Sequence, residues 1–295
     1  MKNNFKFFII YSITIFIIFI YILLKIFVIP VEGVKVSNTS NTSSENNIEN
    51  LSITTNTSTS YEDDNIKINI TTLRQYDTNI YVADISLSNI SYLQTAFANN
   101  TYGRNIKETT SDMANNHNAI LAINGDYYGF RTSGFVLRNG VIYRNTSYNN
   151  EDLVINSDGT FEIINENTTN LSNLLNNGAL QVFSFGPALI NNSNISVSTN
   201  EEVDQSMSSN PRTAIGEISP LHYVFVVSDG RTSASSGLTL YELATVMKNL
   251  GCTIAYNLDG GGSSTMYFNG NIINNPTDGH SSGERKVSDI IYVGY

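Results

Sequence analysis

Apolar positions in this chain first form one continuous block and only later alternate with polar ones. Residues 7–24 are apolar or aromatic except for Ser12 and Thr14, and after Lys25 the run continues through Ile29 to Pro30. A helix needs about 20 such residues to cross a bilayer, so the block predicts a transmembrane helix over 7–29. A secretory signal is the rival reading. The run is longer than a usual signal core, however, and no small-x-small cleavage site follows it. Lys2 and Lys6 precede the block, which favours a cytoplasmic N-terminus over 1–6, although Lys25 and Lys35 weigh against it from the other side. The expectation is an uncleaved signal-anchor, single-pass in the cell membrane, with everything after Pro30 extracellular.

From Ser37 to Ser60 the chain is mostly Asn, Ser and Thr. Such a stretch cannot bury enough apolar surface to offset its ordering entropy, so 30–64 reads as a flexible tether. Period-two alternation begins after Asn65, at Ile66, Ile68 and Ile70 and again at Ile80, Val82 and Ile85, and predicts strands opening a domain over 65–295. A short helix is expected over 111–117 and a strand over 119–123. Further strands follow at 135–137, 141–143, 153–155 and 161–164, with Asn139-Gly140 and Asp158-Gly159 as hairpin turns. Residues 222–259 carry the clearest unit. A β-branched strand starts at His222, and Thr239 and Glu242 make a capping box. Leu240, Leu243, Ala244, Met247 and Leu250 form a helical stripe that ends at Gly251. A second strand then runs to Leu258. This predicts a βαβ unit with parallel strands, and an α+β (mixed α/β) fold with a mixed β-sheet core and few flanking helices.

Net charge is −10, which argues against a nucleic-acid partner, because phosphate backbones are bound by basic faces. The single cysteine, Cys252, excludes an intrachain disulfide framework and a multi-cysteine zinc site, and its expected role is that of a small buried hydrophobe. Three histidines, His117, His222 and His280, are too few for a His-rich cage. His117 and His222 read as structural, and His280 as either a lid residue or a solvated one.

The candidate chemistry sits at strand ends. Asp229 and Asp259 each follow an apolar strand and precede glycine, and a third strand ends in Asn124-Gly125-Asp126. Parallel strands would bring such ends to one edge, where open α/β sheets bind ligands. Turn or helix capping is the structural alternative for each Asp. Arg212, Arg231 and Arg285 lie beside glycine or carboxylate motifs in a chain with eight arginines. They point either to an anion, which the guanidinium fork suits, or to ion pairs that tie loops together. Gly260, Gly261 and Gly262, followed by Ser263 and Ser264, could form a backbone nest for phosphate. The run is neither a G-K-[ST] loop nor G-x-G-x-x-G, and no G-x-S-x-G elbow is present.

The runs A-I-N-G-D-Y-Y, F-G-P-A-L, N-P-R-T-A-I-G, D-G-R, G-L-T-L-Y-E-L-A, N-L-D-G-G-G-S-S-T-M and E-R-K-V resemble the phosphodiester glycosidase family, from about Ile66 to the C-terminus and most densely after Asn210. The resemblance implies hydrolysis of a sugar joined through its anomeric carbon to a phosphodiester, as in cell-surface or exopolysaccharide glycans. Glycoside cleavage uses two carboxyl groups around the anomeric centre. The candidates are Asp126, Asp229, Asp259 and Glu284, with Asp259 and Asp229 as the expected catalytic pair and Asp126 third. Arg212, Arg231 and the Gly260-to-Ser264 turn would hold phosphate, Asn124 and Asn257 would bind sugar hydroxyls, and Glu284 and Arg285 would also contact the substrate. No cofactor is expected. One rival is a phosphodiesterase holding Mg²⁺ or Ca²⁺ on those four carboxylates. Another is a surface module that binds glycosyl phosphates without cleaving them.

Overall fold

A computed structural model describes residues 2–33, 55–200, 209–279 and 281–295. Most of the Asn/Ser/Thr tether, together with His280, lies outside these residues. Helix α1 covers Lys2–Phe27. Its described side chains between Tyr11 and Lys25 stand exposed. Among the described residues no helix is long and apolar enough to cross a membrane. The chain is already in strand form at Val31–Glu32, which pairs with Gly103–Arg104. Strands at Thr55–Asn56 and Ser60–Glu62 then extend a sheet edge. Parts of the segment expected to be a tether therefore belong to the folded body.

Beyond α1 the protein is mostly β-sheet with few helices. A large sheet runs, in spatial order, through Asn194–Ile195, Ala188–Asn191, Ile254–Asn257, Thr213–Ser219, His222–Ser228, Thr78–Leu87, Ile66–Gln75, Ser60–Glu62 and Thr55–Asn56. A second sheet orders Asn271–Ile272, Met266–Phe268, Leu121–Asn124, Asp289–Val293 and Leu93–Phe97. A third is built from Val141–Arg144, Val136–Arg138, Ala179–Phe183, Glu151–Asn156 and Phe161–Asn165. The alternation read at 66–70 is realised: Ile66, Ile68 and Ile70 are buried, while Lys67 and Asn69 are exposed. These isoleucines join a core shared by all three sheets, with Phe225 and Tyr256 from the first, Ile123 and Ile291 from the second, and Leu153 and Phe183 from the third. Each sheet's other face is covered by one helix: α4 (Leu240–Asn249), α2 (Thr110–Asn116) and α3 (Leu171–Asn176) respectively. Burying a period-two face on one side and a helix stripe on the other accounts for the layering.

The turn and cap signals hold. Asn139 and Gly140 adopt φ of 50° and 74° between paired strands, the left-handed pair that a two-residue hairpin demands. Gly159 turns the next hairpin at φ 86°. Glu242 N donates to Thr239 Oγ1 at 3.1 Å, and Thr239 N donates back to Glu242 Oε2 at 2.8 Å. Replacing Thr239 with alanine should therefore cost about 0.5–2 kcal/mol, read as a lower urea midpoint. Cys252 is buried as expected, its thiol pushed up to about 12 by burial.

The βαβ expectation needs correction. His222–Ser228 and Ile254–Asn257 do run in the same direction, but each is antiparallel to Thr213–Ser219, which lies between them. All strand pairings among the described residues are antiparallel. Thr213–Ser219 and His222–Ser228 are joined by a turn at Pro220-Leu221, so they pair at little loop-closure cost. Helix α4 then carries the chain past the hairpin to its far side.

Candidate active site

Two strands from different sheets converge at their ends. Asp259 N donates to Gly125 O at 3.3 Å, and Asn124 Nδ2 donates to Asp259 O at 2.7 Å. Asn124 Oδ1 accepts from Thr213 Oγ1 and Thr265 N, at 2.8 and 3.2 Å. This buried amide therefore fastens three segments, which is a structural duty and a correction to its expected role on sugar. Asn257 is likewise buried, donating to Gly186 O at 2.8 Å.

Past this junction Asp259 opens into a cavity of about 310 Å³ lined by Lys107, Tyr127, Phe130, Asp259, Ser263, Asp278, Arg285 and Lys286. Burial pushes the Asp259 carboxyl up to about 6. The Ser263 side chain, Arg285 and the Gly260 N–H oppose that rise, and the charge of Asp126 adds to it. A carboxyl that titrates near neutral pH in a water-accessible hollow is poised for acid–base or nucleophilic work.

The triple glycine serves this carboxylate. Gly260 N donates to Asp259 Oδ1 at 3.0 Å. The N–H groups of Gly261, Ser263 and Ser264 are already given to the carbonyls of Pro211, Gly260 and Gly261. The turn is a single 3₁₀ winding over Gly261–Ser263 that orients Asp259, and the expected phosphate nest is not formed. Glycine is required for close approach. Gly261 sits at φ 62° with Arg231 Nη2 2.9 Å from where a Cβ would stand, and at Gly262 a Cβ would lie 2.7 Å from both Arg285 Nη2 and Asp278 Oδ1.

The other acids expected at the site point elsewhere. Asp229 accepts from Tyr81 Oη at 3.1 Å, Asn275 N at 2.8 Å and Asn275 Nδ2 at 3.0 Å. It thereby holds the segment leading to the short strand Thr277–Asp278. Asp126 is buried against Arg138, 2.8 Å from its Nη2, and also accepts from Tyr128 N at 2.9 Å. Glu284 accepts from Ser111 N at 3.0 Å and from the Ser111 hydroxyl, closing the first turn of α2. Asp229→Asn is accordingly expected to act through the segment it holds, raising KM more than it lowers kcat. Among the described residues no three His, Cys, Asp or Glu side chains are grouped to hold a metal, so the four carboxylates suggested for Mg²⁺ or Ca²⁺ are not assembled.

Of the arginines, only Arg285 lines the cavity. Its Nε and Nη2 both donate to Asp278 Oδ1, at 2.9 and 2.7 Å. Arg212 is buried, with Nε on Leu238 O at 2.9 Å. Arg231 donates twice to Asn210 Oδ1, at 3.1 and 2.8 Å, and leans on Gly261. Sequence reasoning missed Lys107, Lys286, Tyr127, Phe130 and Asp278. Lys286 falls within the E-R-K-V run and Tyr127 within A-I-N-G-D-Y-Y; both were within reach of the motif reading.

Residues 117–294 match the family model for phosphodiester glycosidases. The chain belongs to that family. A prophage-derived uncharacterised protein of Bacillus subtilis, YomE, is 32% identical over 202 residues, 66% of this chain and 31% of that protein. The mouse N-acetylglucosamine-1-phosphodiester alpha-N-acetylglucosaminidase is 34% identical over 87 residues, 28% of this chain and 16% of that protein. The chain thus spans about a third or less of these relatives. Among solved structures, the zebrafish enzyme's catalytic domain, auto-inhibited by its pro-peptide, superimposes with TM-score 0.61 at 21% identity, covering 78% of this chain and 83% of that one. A hypothetical protein from Synechocystis gives TM-score 0.60 at 14% identity, covering 78% of this chain and 62% of that one. These likenesses establish the fold of this phosphodiester glycosidase family member.

Proposed function

We propose that this protein hydrolyses the bond between the anomeric carbon of a sugar and a phosphodiester, acting on glycosyl phosphates of cell-surface or exopolysaccharide glycans. The observation that carries this reading is Asp259, pushed up to about 6 in a hollow that also holds Arg285, Lys286 and Lys107. Water adds to the anomeric carbon, the C–O bond to phosphate breaks, and a phosphate monoester departs with the bonding electrons. That leaving group is already stable as an anion, so cations at the cavity can stand in for much of a general acid. The ionised form of Asp259 then acts on the water or on the anomeric carbon. Tyr127 and Phe130, stacked with centroids 4.6 Å apart, give the sugar an apolar wall. No cofactor is assigned.

The apolar run over 7–29 supports an anchoring role for α1, with the catalytic body outside the cell. Hydrolysis of a panel of sugar-1-phosphodiesters by the full chain in ¹⁸O-water tests the chemistry. Label is expected on the anomeric hydroxyl. Label in phosphate, with activity lost to chelator, would instead establish P–O cleavage assisted by Mg²⁺ or Ca²⁺.

A further inference from the structure

A second cavity, of about 190 Å³, has Glu32, Arg104, Tyr128, Arg131, Thr132 and Arg144 in its lining. It shares two segments with the Asp259 cavity. In the first, Tyr127 and Phe130 face the Asp259 side while Tyr128, Arg131 and Thr132 line the second cavity; in the other, Lys107 and Arg104 divide in the same way. The two hollows therefore stand back to back across the turn Tyr128–Phe130.

Three guanidinium groups and a single carboxylate, Glu32, line this cavity. Arg144 Nε donates to Gly134 O at 2.6 Å and Nη1 to the carbonyls of Tyr128 and Arg131 at 3.0 and 2.8 Å. Carbonyls fix its position without neutralising its charge. Arg131 makes one long hydrogen bond, 3.5 Å to Ser184 O, and lies over the rings of Tyr127, Tyr148 and Phe185 at 5.8, 5.3 and 5.2 Å. Aromatic faces hold the guanidinium in place while leaving most of its fork of donors uncommitted. With three guanidinium groups against one carboxylate, the hollow matches an anion.

We propose that this cavity is an anion subsite that receives a neighbouring phosphate of the same glycan chain, so that the substrate class is a polymer of sugar units joined by successive phosphodiesters. The inference rests on the glycosidase reading of the Asp259 cavity and adds to it a preference for chains over single units.

The experiment compares two synthetic probes carrying the same scissile unit, one with a single phosphodiester and one with two, using the full chain. Wild type is expected to show a KM at least about tenfold lower for the two-phosphate probe. Arg131→Gln should raise that KM to the one-phosphate value while leaving the one-phosphate kcat/KM within about twofold, and Arg131→Lys should restore part of the preference. Equal KM for both probes in wild type, or an equal loss on both in Arg131→Gln, would overturn the subsite. If wild type cleaves neither probe, the glycosidase reading fails. Calorimetric binding then judges the subsite by itself: tighter binding of the two-phosphate probe that Arg131→Gln abolishes supports it, and equal binding overturns it.

Discussion

Asp259→Asn is expected to lower kcat/KM on a glycosyl phosphodiester by about 10²–10⁴-fold and to leave the protein folded and more heat-stable at alkaline pH. The two effects share one cause. The carboxyl is pushed from its ordinary 3.8 to about 6, chiefly by burial. Between those values the native state holds a proton that the unfolded chain has released. The contribution to stability is therefore fully present below 3.8 and is lost as pH rises through about 6, beyond which a partly buried charge burdens the fold. Asparagine removes that burden, so the difference in Tm between variant and wild type should widen from pH 4 to pH 8. A side chain kept for structure would lose stability on substitution; one kept for chemistry gains it. The same titration fixes the rate profile. If the ionised form is the active one, kcat/KM falls about tenfold per pH unit below 6. A limb of opposite slope at that pH would show that the protonated form does the work.

The sequence disclosed this carboxylate because its signal is local. An apolar strand, an acid and three glycines are contiguous, and the glycines are needed for reasons traceable to single contacts at Arg231, Arg285 and Asp278. Hairpins, the capping box and the covering helix were legible on the same terms. The partners of the other acids were not. Nothing near Asp126 signals that Arg138 will meet it, nor does anything near Asp229 signal Tyr81, 148 positions away. A strand-end carboxylate looks the same whether it faces solvent or a buried cation. Sheet order was hidden for a related reason. The run N-P-R-T-A-I-G reads as a motif, yet its latter part begins Thr213–Ser219, the strand that separates the two expected to pair. The cavity's cations come from loops with no periodicity, so only assembly of the sheets brings Lys107 to Lys286.

Arg138→Met is expected to cost about 3–5 kcal/mol of stability, the usual penalty for stripping one partner from a buried ion pair. The guanidinium is fully enclosed. Nη2 lies 2.8 Å from Asp126 Oδ2, Nε and Nη2 lie 3.0 and 2.9 Å from Asp289 Oδ2, and the charge rests 4.0 Å over the ring of Phe183. Burial works against its charge, but the two carboxylates outweigh that and hold its pKa above the ordinary value. Asp289 is in turn pushed up, by burial first and by the charge of Asp126 next, with Arg138 opposing. Methionine fills much of the space but leaves two acids facing each other without a cation. Asp289 would then titrate further above its unfolded value, so the variant's stability recovers as pH falls and is poorest at alkaline pH. Urea denaturation at pH 5 and pH 8 checks the sign, with the larger loss at pH 8. Adding Asp126→Asn and Asp289→Asn to the variant should return most of the stability, because the damage comes from unpaired charge and much less from lost volume. The consequence reaches the active site, since Tyr127 follows Asp126 directly and lines the cavity beside Asp259. In the singly substituted protein, KM should rise even under conditions where it remains folded. An Arg138→Met variant that kept wild-type stability at pH 8 would mean that the guanidinium charge is not what holds this buried cluster together.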